Sequence, residues 1–178
     1  STVSKNQLTI DPGTVVNASS VTSTLGQAGT WLIQAANVLI DSNFATAVSN
    51  ALTYASVKIV SSSSNTQQVN FGNITISPNV QIIKNSQNLT SLTLQASQGF
   101  FNYGQIGSTQ SSSLDVFAQA QFINLASGSQ ILANQVTLVA ADSMIISGSI
   151  QGIYGSNQNN QNPIINLYAN LFLSLIHI

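Results

Sequence analysis

Cysteine, arginine and glutamate are missing from the 178 residues, so three lysines and four aspartates supply nearly all the charge. Without cysteine there is no disulfide bracing and no thiolate metal site, and the redox compartment stays open. Charged residues make up 4% of the chain, against about a quarter in an ordinary soluble domain. That scarcity removes the basic clusters that neutralise phosphates, so nucleic acid is not an expected partner. No apolar run reaches the roughly 18 to 20 residues that cross a bilayer as a helix. The chain does not begin with Met and has no basic segment leading into an apolar run. It therefore reads as an interior piece of a longer protein without a secretory signal of its own. Ser, Thr, Asn and Gln provide the polarity, and a hydrophobic content of 43% is ample for a core in one domain or one section of a repeat array.

What is present is a repeated small strand. "SLTLQASQ" at 91–98 is followed by the similar "SLDVFAQA" at 113–120. Aligned on their apolar alternation, the repeats are Leu92, Leu94, Ala96; then Leu114, Val116, Ala118; then Val136, Leu138, Ala140; then Ile165, Leu167, Ala169. Their offsets are 114 − 92 = 22, 136 − 114 = 22 and 165 − 136 = 29. The last is longer because "YGSNQNNQNP" intervenes, a polar insertion closed by Pro163 and expected as a surface loop.

Period-two alternation places these apolar residues on one face of each strand. About 22 residues are too few for a strand, a crossover helix and a return, and no 3.6-residue period runs through the repeats. Parallel strands stacked in a coil meet both conditions, since a single rung cannot bury its apolar face but stacked rungs can. The expected fold class is all-β, a right-handed parallel β-helix over residues 1–170, with 171–178 a truncated or artefactual tail. Low charge follows from the same geometry. Like positions stack one rung apart, where charges would repel and amides or hydroxyls can form ladders. Gly104, Gly128, Gly148, Gly152 and Gly155 are expected to turn corners at positive φ.

Upstream the strand-like segments are "QLTI", "TWLI", "NVLI", "SVKIV", "NITI" and "NVQII". Phe44, Ala47, Val48, Ala51 and Leu52 instead recur at spacings of three and four behind Asp41, Ser42 and Asn43. This predicts a short helix over 43–53, packed on the coil. "SSSSNTQQ" at 61–68 reads as a loop.

Taken in order, these segments resemble the haemagglutinin-repeat β-helix of filamentous-haemagglutinin-type exoproteins, the large adhesins of bacterial two-partner secretion. Gly29, Thr30, Trp31, Leu32 and Ile33 match that family's Gly-Thr-Trp-Leu-(Leu/Ile) element, and Asn37, Val38 and Ile40 its Asn-Val-x-Ile strand. Ala51 and Leu52 match its turn. Gly72, Asn73, Ile74 and Ile76, then Leu92, Leu94 and Ala96, match its later strands. Gln34 and Ala35 stand where the family usually has Asp-Pro. The resemblance implies a structural shaft segment of a secreted, cell-surface bacterial adhesin that gives reach and attachment. Its implied partners are host-cell surfaces or glycans, neighbouring adhesin chains, and an outer-membrane transporter acting through a region outside this chain. The alternatives are a polysaccharide-active β-helix enzyme or the stalk of a contact-dependent toxin.

Candidate sites are few. Asp115 falls in the outward column of Thr93, Thr137 and Asn166, and Asp142 in that of Gln98, Ala120 and Leu171. The paired carboxylates of glycoside hydrolysis are therefore not expected. Asp11 lies in a turn, Asp41 heads the helix, and nothing is built on His177. No catalytic residue, metal site or cofactor is expected. Asn17, Asn73 and Asn88 begin glycosylation-type tripeptides and are read as ladder or turn residues. Trp31, Phe100, Phe101 and Tyr103 are expected in the core or at corners. The one candidate contact surface is the outward column Gln95, Phe117, Val139 and Tyr168.

Overall fold

In the computed structural model, residues 2–7, 29–62, 72–109, 114–153 and 163–174 are described. In chain order the elements are β1 (Thr2–Gln7), β2 (Thr30–Ile40), α1 (Ser42–Leu52), β3 (Ser56–Ser61), β4 (Ile74–Ile76), β5 (Gln81–Lys84) and β6 (Thr90–Ala96). They continue as β7 (Gly99–Asn102), β8 (Gln105–Ser108), β9 (Leu114–Leu125), β10 (Gln130–Ala133), β11 (Gln135–Ile146), β12 (Ser149–Gly152) and β13 (Ile164–Ser174). The described residues are all-β with one helix, and every strand pairing among them is parallel. Among the described residues no helix is long and apolar enough to cross a membrane.

Two sheets hold the strands. The smaller runs β12-β10-β8-β5, and the larger runs β13-β11-β9-β6-β3-β2-β4-β7, with β1 on β2 and an added β9–β7 pairing. That added pairing closes a ring of six strands, β2, β3, β6, β9, β7 and β4. The ring closes because β2 and β9 are long enough to serve two legs. The first half of β9 pairs with β6 and its second half with β7. Likewise β2 pairs with β3 through 30–35 and with β4 through 38–40.

The inward side chains of all legs form one core. Leu92, Leu94, Phe100, Ile106, Val116, Ile123, Ile131, Val136, Leu138 and Met144 are all buried there. Alternation at period two is what aims them inward, and their outward neighbours remain partly exposed.

Helix α1 takes the place of a strand of the smaller sheet early in the chain. Asp41 is its N-cap, its carboxylate accepting a hydrogen bond from Phe44 N–H at 2.8 Å. The predicted apolar set Phe44, Ala47, Val48, Ala51 and Leu52 forms its buried face. The helix begins and ends one residue earlier than predicted. Ser49 ties it to the smaller sheet, its Oγ accepting from Ile83 N–H on β5 at 3.0 Å.

The register departs from the predicted one in the middle repeat. Leu92 lies opposite Val116, Val116 opposite Val136, and Val136 opposite Ile165. The steps are thus 116 − 92 = 24, 136 − 116 = 20 and 165 − 136 = 29. Leu114, predicted to stack on Leu92, lies opposite Thr90 instead. A slip of one residue would have turned the apolar side chains outward, but a slip of two keeps each on its face. The connection lengths account for the change: five residues separate β8 from β9, but Asn134 alone separates β10 from β11. Ala118 consequently stands between Leu94 and Leu138, while Ala120 aligns with Ala140 and Ala140 with Ala169. Ala96 is level with Ala120, because its neighbour Gln95 pairs with Gln119. These alanines stand where the chain bends from the first leg into the second.

At β13 the core opens. Ile165 was expected to be buried but is 43% exposed, and Leu167 and Ala169 are only partly buried. Among the described residues β13 ends the strand order, and no described strand pairs with its far side. Its pairing with β11 continues through Ser174, past the expected boundary at 170. The corner glycines also differ from expectation. Of the four that are described, Gly128 has positive φ, as does Gly72 outside that set. Gly104 and Gly148 are required for space instead: a Cβ on Gly104 would meet the Val80 carbonyl, and one on Gly148 would lie 2.6 Å from the Ser129 carbonyl oxygen. Most of the loops expected at 61–68 and 154–163, together with Asp11, Asn17, Gly155 and His177, fall outside the described residues.

Candidate binding surface

The outward side chains of the first leg form three columns. Ser91, Asp115, Gln135 and Ile164 make the first, and Lys58, Thr93, Phe117, Thr137 and Asn166 the second. Val60, Gln95, Gln119, Val139 and Tyr168 make the third. The expected contact column therefore holds for Gln95, Val139 and Tyr168 but not for Phe117. The two-residue slip moves Phe117 between Thr93 and Thr137 and puts Gln119 in its place. Tyr168 is 57% exposed, whereas Gln95, Phe117 and Val139 are half-buried. The column is thus a glutamine pair set between Val60 on one side and Val139 and Tyr168 on the other, not an apolar stripe.

The slip relocates the acids as well. Asp115 lies opposite Ser91 and Gln135, away from the predicted Thr93 column, and accepts a hydrogen bond from Asn134 Nδ2 at 2.9 Å. Asp142 shares no column with Gln98 or Ala120. It sits in a β-bulge where Ala141 and Asp142 together oppose one residue on each neighbouring strand, and it is exposed. Asn170 Nδ2 fastens the bulge by donating to the Ala141 carbonyl at 2.6 Å. From Gln135, the partner of Asp115, to Asp142 is seven residues, on the order of 20 Å of strand path. That is far beyond the spacing of a carboxylate pair in a glycosidase. Among the described residues no group of three or more His, Cys, Asp or Glu could hold a metal ion.

Lys58 and Asp115 do share a shallow groove of about 570 Å³ on the first leg, bordered by the hydroxyls of Ser56, Ser91 and Thr93. It can offer hydrogen bonds and one charge of each sign. It holds no hydroxyl or thiol poised against a base.

One ionisable group escaped the sequence reading. Lys84 ends β5 with its side chain fully buried. Its ammonium donates to the Ser86 carbonyl at 2.9 Å and to the Ser86 hydroxyl. Ser86 Oγ lies 3.3 Å from the Thr53 carbonyl at the end of α1, so the cation stands near the negative pole of the helix. Removal from water lowers its pKa from 10.5 to about 8. The signal for burial was its place in "QIIK", in step with the inward Ile82.

The second leg carries outward columns that the repeat alignment did not reach. Leu39, Thr75, Phe101, Asn124 and Ile145 form one, and Gly99, Phe122, Ser143 and Leu171 the other. At the start of the latter, Asn37 Oδ1 accepts from Gly72 and Asn73 N–H at 3.0 Å each, and Asn73 Oδ1 accepts from Gly99 N–H at 2.9 Å. Asn73 is thereby a ladder residue. Trp31 and Phe100 are buried as expected, while Tyr103 is 40% exposed.

Comparisons with family models, with curated proteins and with solved structures find no match to this chain.

Proposed function

We propose that this chain is a right-handed parallel β-helix and serves as a structural shaft segment of an exported, cell-surface bacterial adhesin of filamentous-haemagglutinin type. One observation carries the reading: Leu92, Val116, Val136 and Ile165 stand over one another in parallel register, each one circuit of the chain beyond the last. In-register stacking of this kind yields a rod whose length grows with the number of circuits. Right-handedness is the general rule for connections between parallel strands. The six-strand ring agrees with a helical path, because it arises where long strands continue from one leg to the next around the same core. The ordered resemblance from Gly29 to Ala96 supplies the adhesin and its secretion route.

In this reading the outer surface supplies reach and attachment, and the chain has no catalytic role. Partners are host-cell surfaces or glycans and neighbouring shafts. Spin-label distances test the shaft: labels on Gln95→Cys and Val139→Cys, two strands apart in one column, are expected about 10 Å apart, and a separation beyond about 20 Å, four strand spacings, would overturn it. Beads coated with the chain test attachment. Retention on cultured epithelial cells above albumin-coated beads is expected, and equal retention counts against an adhesive role. New reducing ends or unsaturated products on incubation with neutral and uronic-acid glycans, lost in Asp115→Asn or Asp142→Asn, would favour the polysaccharide-active enzyme instead.

A further inference from the structure

The outward face of the second leg exposes several large apolar side chains. Leu39, Phe122, Ile145 and Leu171 are 43%, 42%, 38% and 56% exposed there. Two of its aromatic rings are arranged as a pair. Phe101 belongs to the column of Thr75 and Asn124, but a Cβ on Gly99 would run into the Phe101 ring, 2.6 Å from its Cζ and closer still to its Cε2. The ring therefore leans sideways over Gly99, which is buried beneath it. Gly99 is the direct partner of Phe122 on the next strand. The missing side chain thus brings the Phe101 ring into the column of Phe122, about 4.8 Å away at strand spacing. The Asn124 amide and the Thr75 and Ser143 hydroxyls flank the two rings. Among the described residues neither column holds an acid or a base, and Asp142 is exposed in the bulge beside Ser143.

We propose that Phe101 and Phe122 form a stacking platform for the pyranose rings of a neutral glycan. This deepens the adhesive reading and rests on it. A pyranose presents apolar C–H faces that stack on aromatic rings and hydroxyls that bond to amides at its rim, the mixture found on this face. Charge selects among glycans: a polyanionic chain would meet Asp142 with no cation in either column to offset it, whereas a neutral chain meets no penalty. Apolar surface of this kind on a weakly charged protein marks a contact site.

The test is calorimetric titration of the full chain with cellohexaose, chitohexaose and a heparin hexasaccharide. Binding of at least one neutral hexasaccharide and none of heparin is expected. Phe122→Ala should weaken binding about ten-fold or more, which corresponds to about 1.4 kcal/mol, while Tyr54→Ala, an exposed aromatic just past the end of α1, should leave it unchanged. Because Phe101→Ala would also uncover Gly99, Phe101→Trp is the companion variant, expected to bind as tightly as the parent or more so. Binding of heparin alone, no binding of either neutral probe, or full affinity in Phe122→Ala would overturn the proposal. So would a dimer seen by sedimentation that Phe122→Ala dissolves, since a second copy would then occupy this face. The two-spacing label separation between Gln95→Cys and Val139→Cys alongside any of these failures would leave the shaft standing without this glycan site.

Discussion

Lys84 Nζ donates to the Ser86 carbonyl oxygen at 2.9 Å from a position with no solvent exposure. Burial disfavours the charged form and lowers the pKa from 10.5 to about 8. Below about pH 8 the folded and unfolded chains both hold the proton, and the cost of burying the ammonium is constant. Between about 8 and 10.5 the unfolded chain holds a proton that the folded chain has released, so stability rises with pH across that window and levels off above it. A gain on the order of 1–3 kcal/mol is expected. Urea melts from pH 7 to 10.5 on the parent and on Lys84→Met isolate it. The rise should vanish in the variant, and an identical pH profile in both would refute the assignment.

Gly148 lies against the turn between β9 and β10, where an added Cβ would stand 2.6 Å from the Ser129 carbonyl oxygen and 2.8 Å from that of Ala126. Both are backbone atoms held by the ladder, with Ser129 N–H bonded to Ala126 O and Ser149 N–H to Ser129 O. Gly148→Ala should therefore cost roughly 1–3 kcal/mol through overpacking. Gly128 has open space around its Cβ position and positive φ, so Gly128→Asn should be tolerated far better than Gly148→Ala. Equal melting temperatures for the two variants would contradict this account.

The inward faces, the helix and its Asp41 cap were legible in the sequence because each rests on local chemistry: period two, period 3.6 and an Asx side chain before an apolar run. The two-residue slip was not legible from the apolar pattern, since hydrophobicity is blind to even shifts. A second signal was present in the Gln-Ala pairs at 95–96 and 119–120, which repeat at the observed step of 24 and mark the corner. Slipping moved Phe117 out of the expected contact column and Asp115 to a new one, so surface columns were less legible than the core. The platform on the second leg was hidden because it depends on a ring leaning across a glycine into the neighbouring column, a relation that strand periodicity does not express.

Leu94 and Ile165 occupy inward positions of equivalent pattern and should respond differently to truncation. Leu94 is fully buried opposite Ala118, which is too small to fill a gap left beside it. Leu94→Ala should cost about 2–5 kcal/mol. Ile165 keeps 43% of its surface in solvent at the open end, so Ile165→Ala should cost under about 1.5 kcal/mol. Chemical denaturation of the two variants checks the ordering, and a larger loss in Ile165→Ala would mean that the stack continues over β13.

Gln95 and Gln119 test why the exterior carries so little charge. They lie directly opposite on β6 and β9, one strand spacing apart. Two ammonium groups at about 5 Å repel by roughly 0.8 kcal/mol in water, and a cation placed alone meets no like charge directly opposite it, Lys58 standing only diagonally from Gln95. Gln95→Lys and Gln119→Lys should each be nearly neutral, while the double variant should lose about 0.2–1 kcal/mol more than the two losses together. At about 1 M salt, where the screening length is near 3 Å, the excess should fall away. A double-mutant cycle at low and high salt reads both effects. Strict additivity at low salt would mean that stacked like charges cost this surface nothing, and the rarity of Lys and Asp would then need a cause other than the register of the strands.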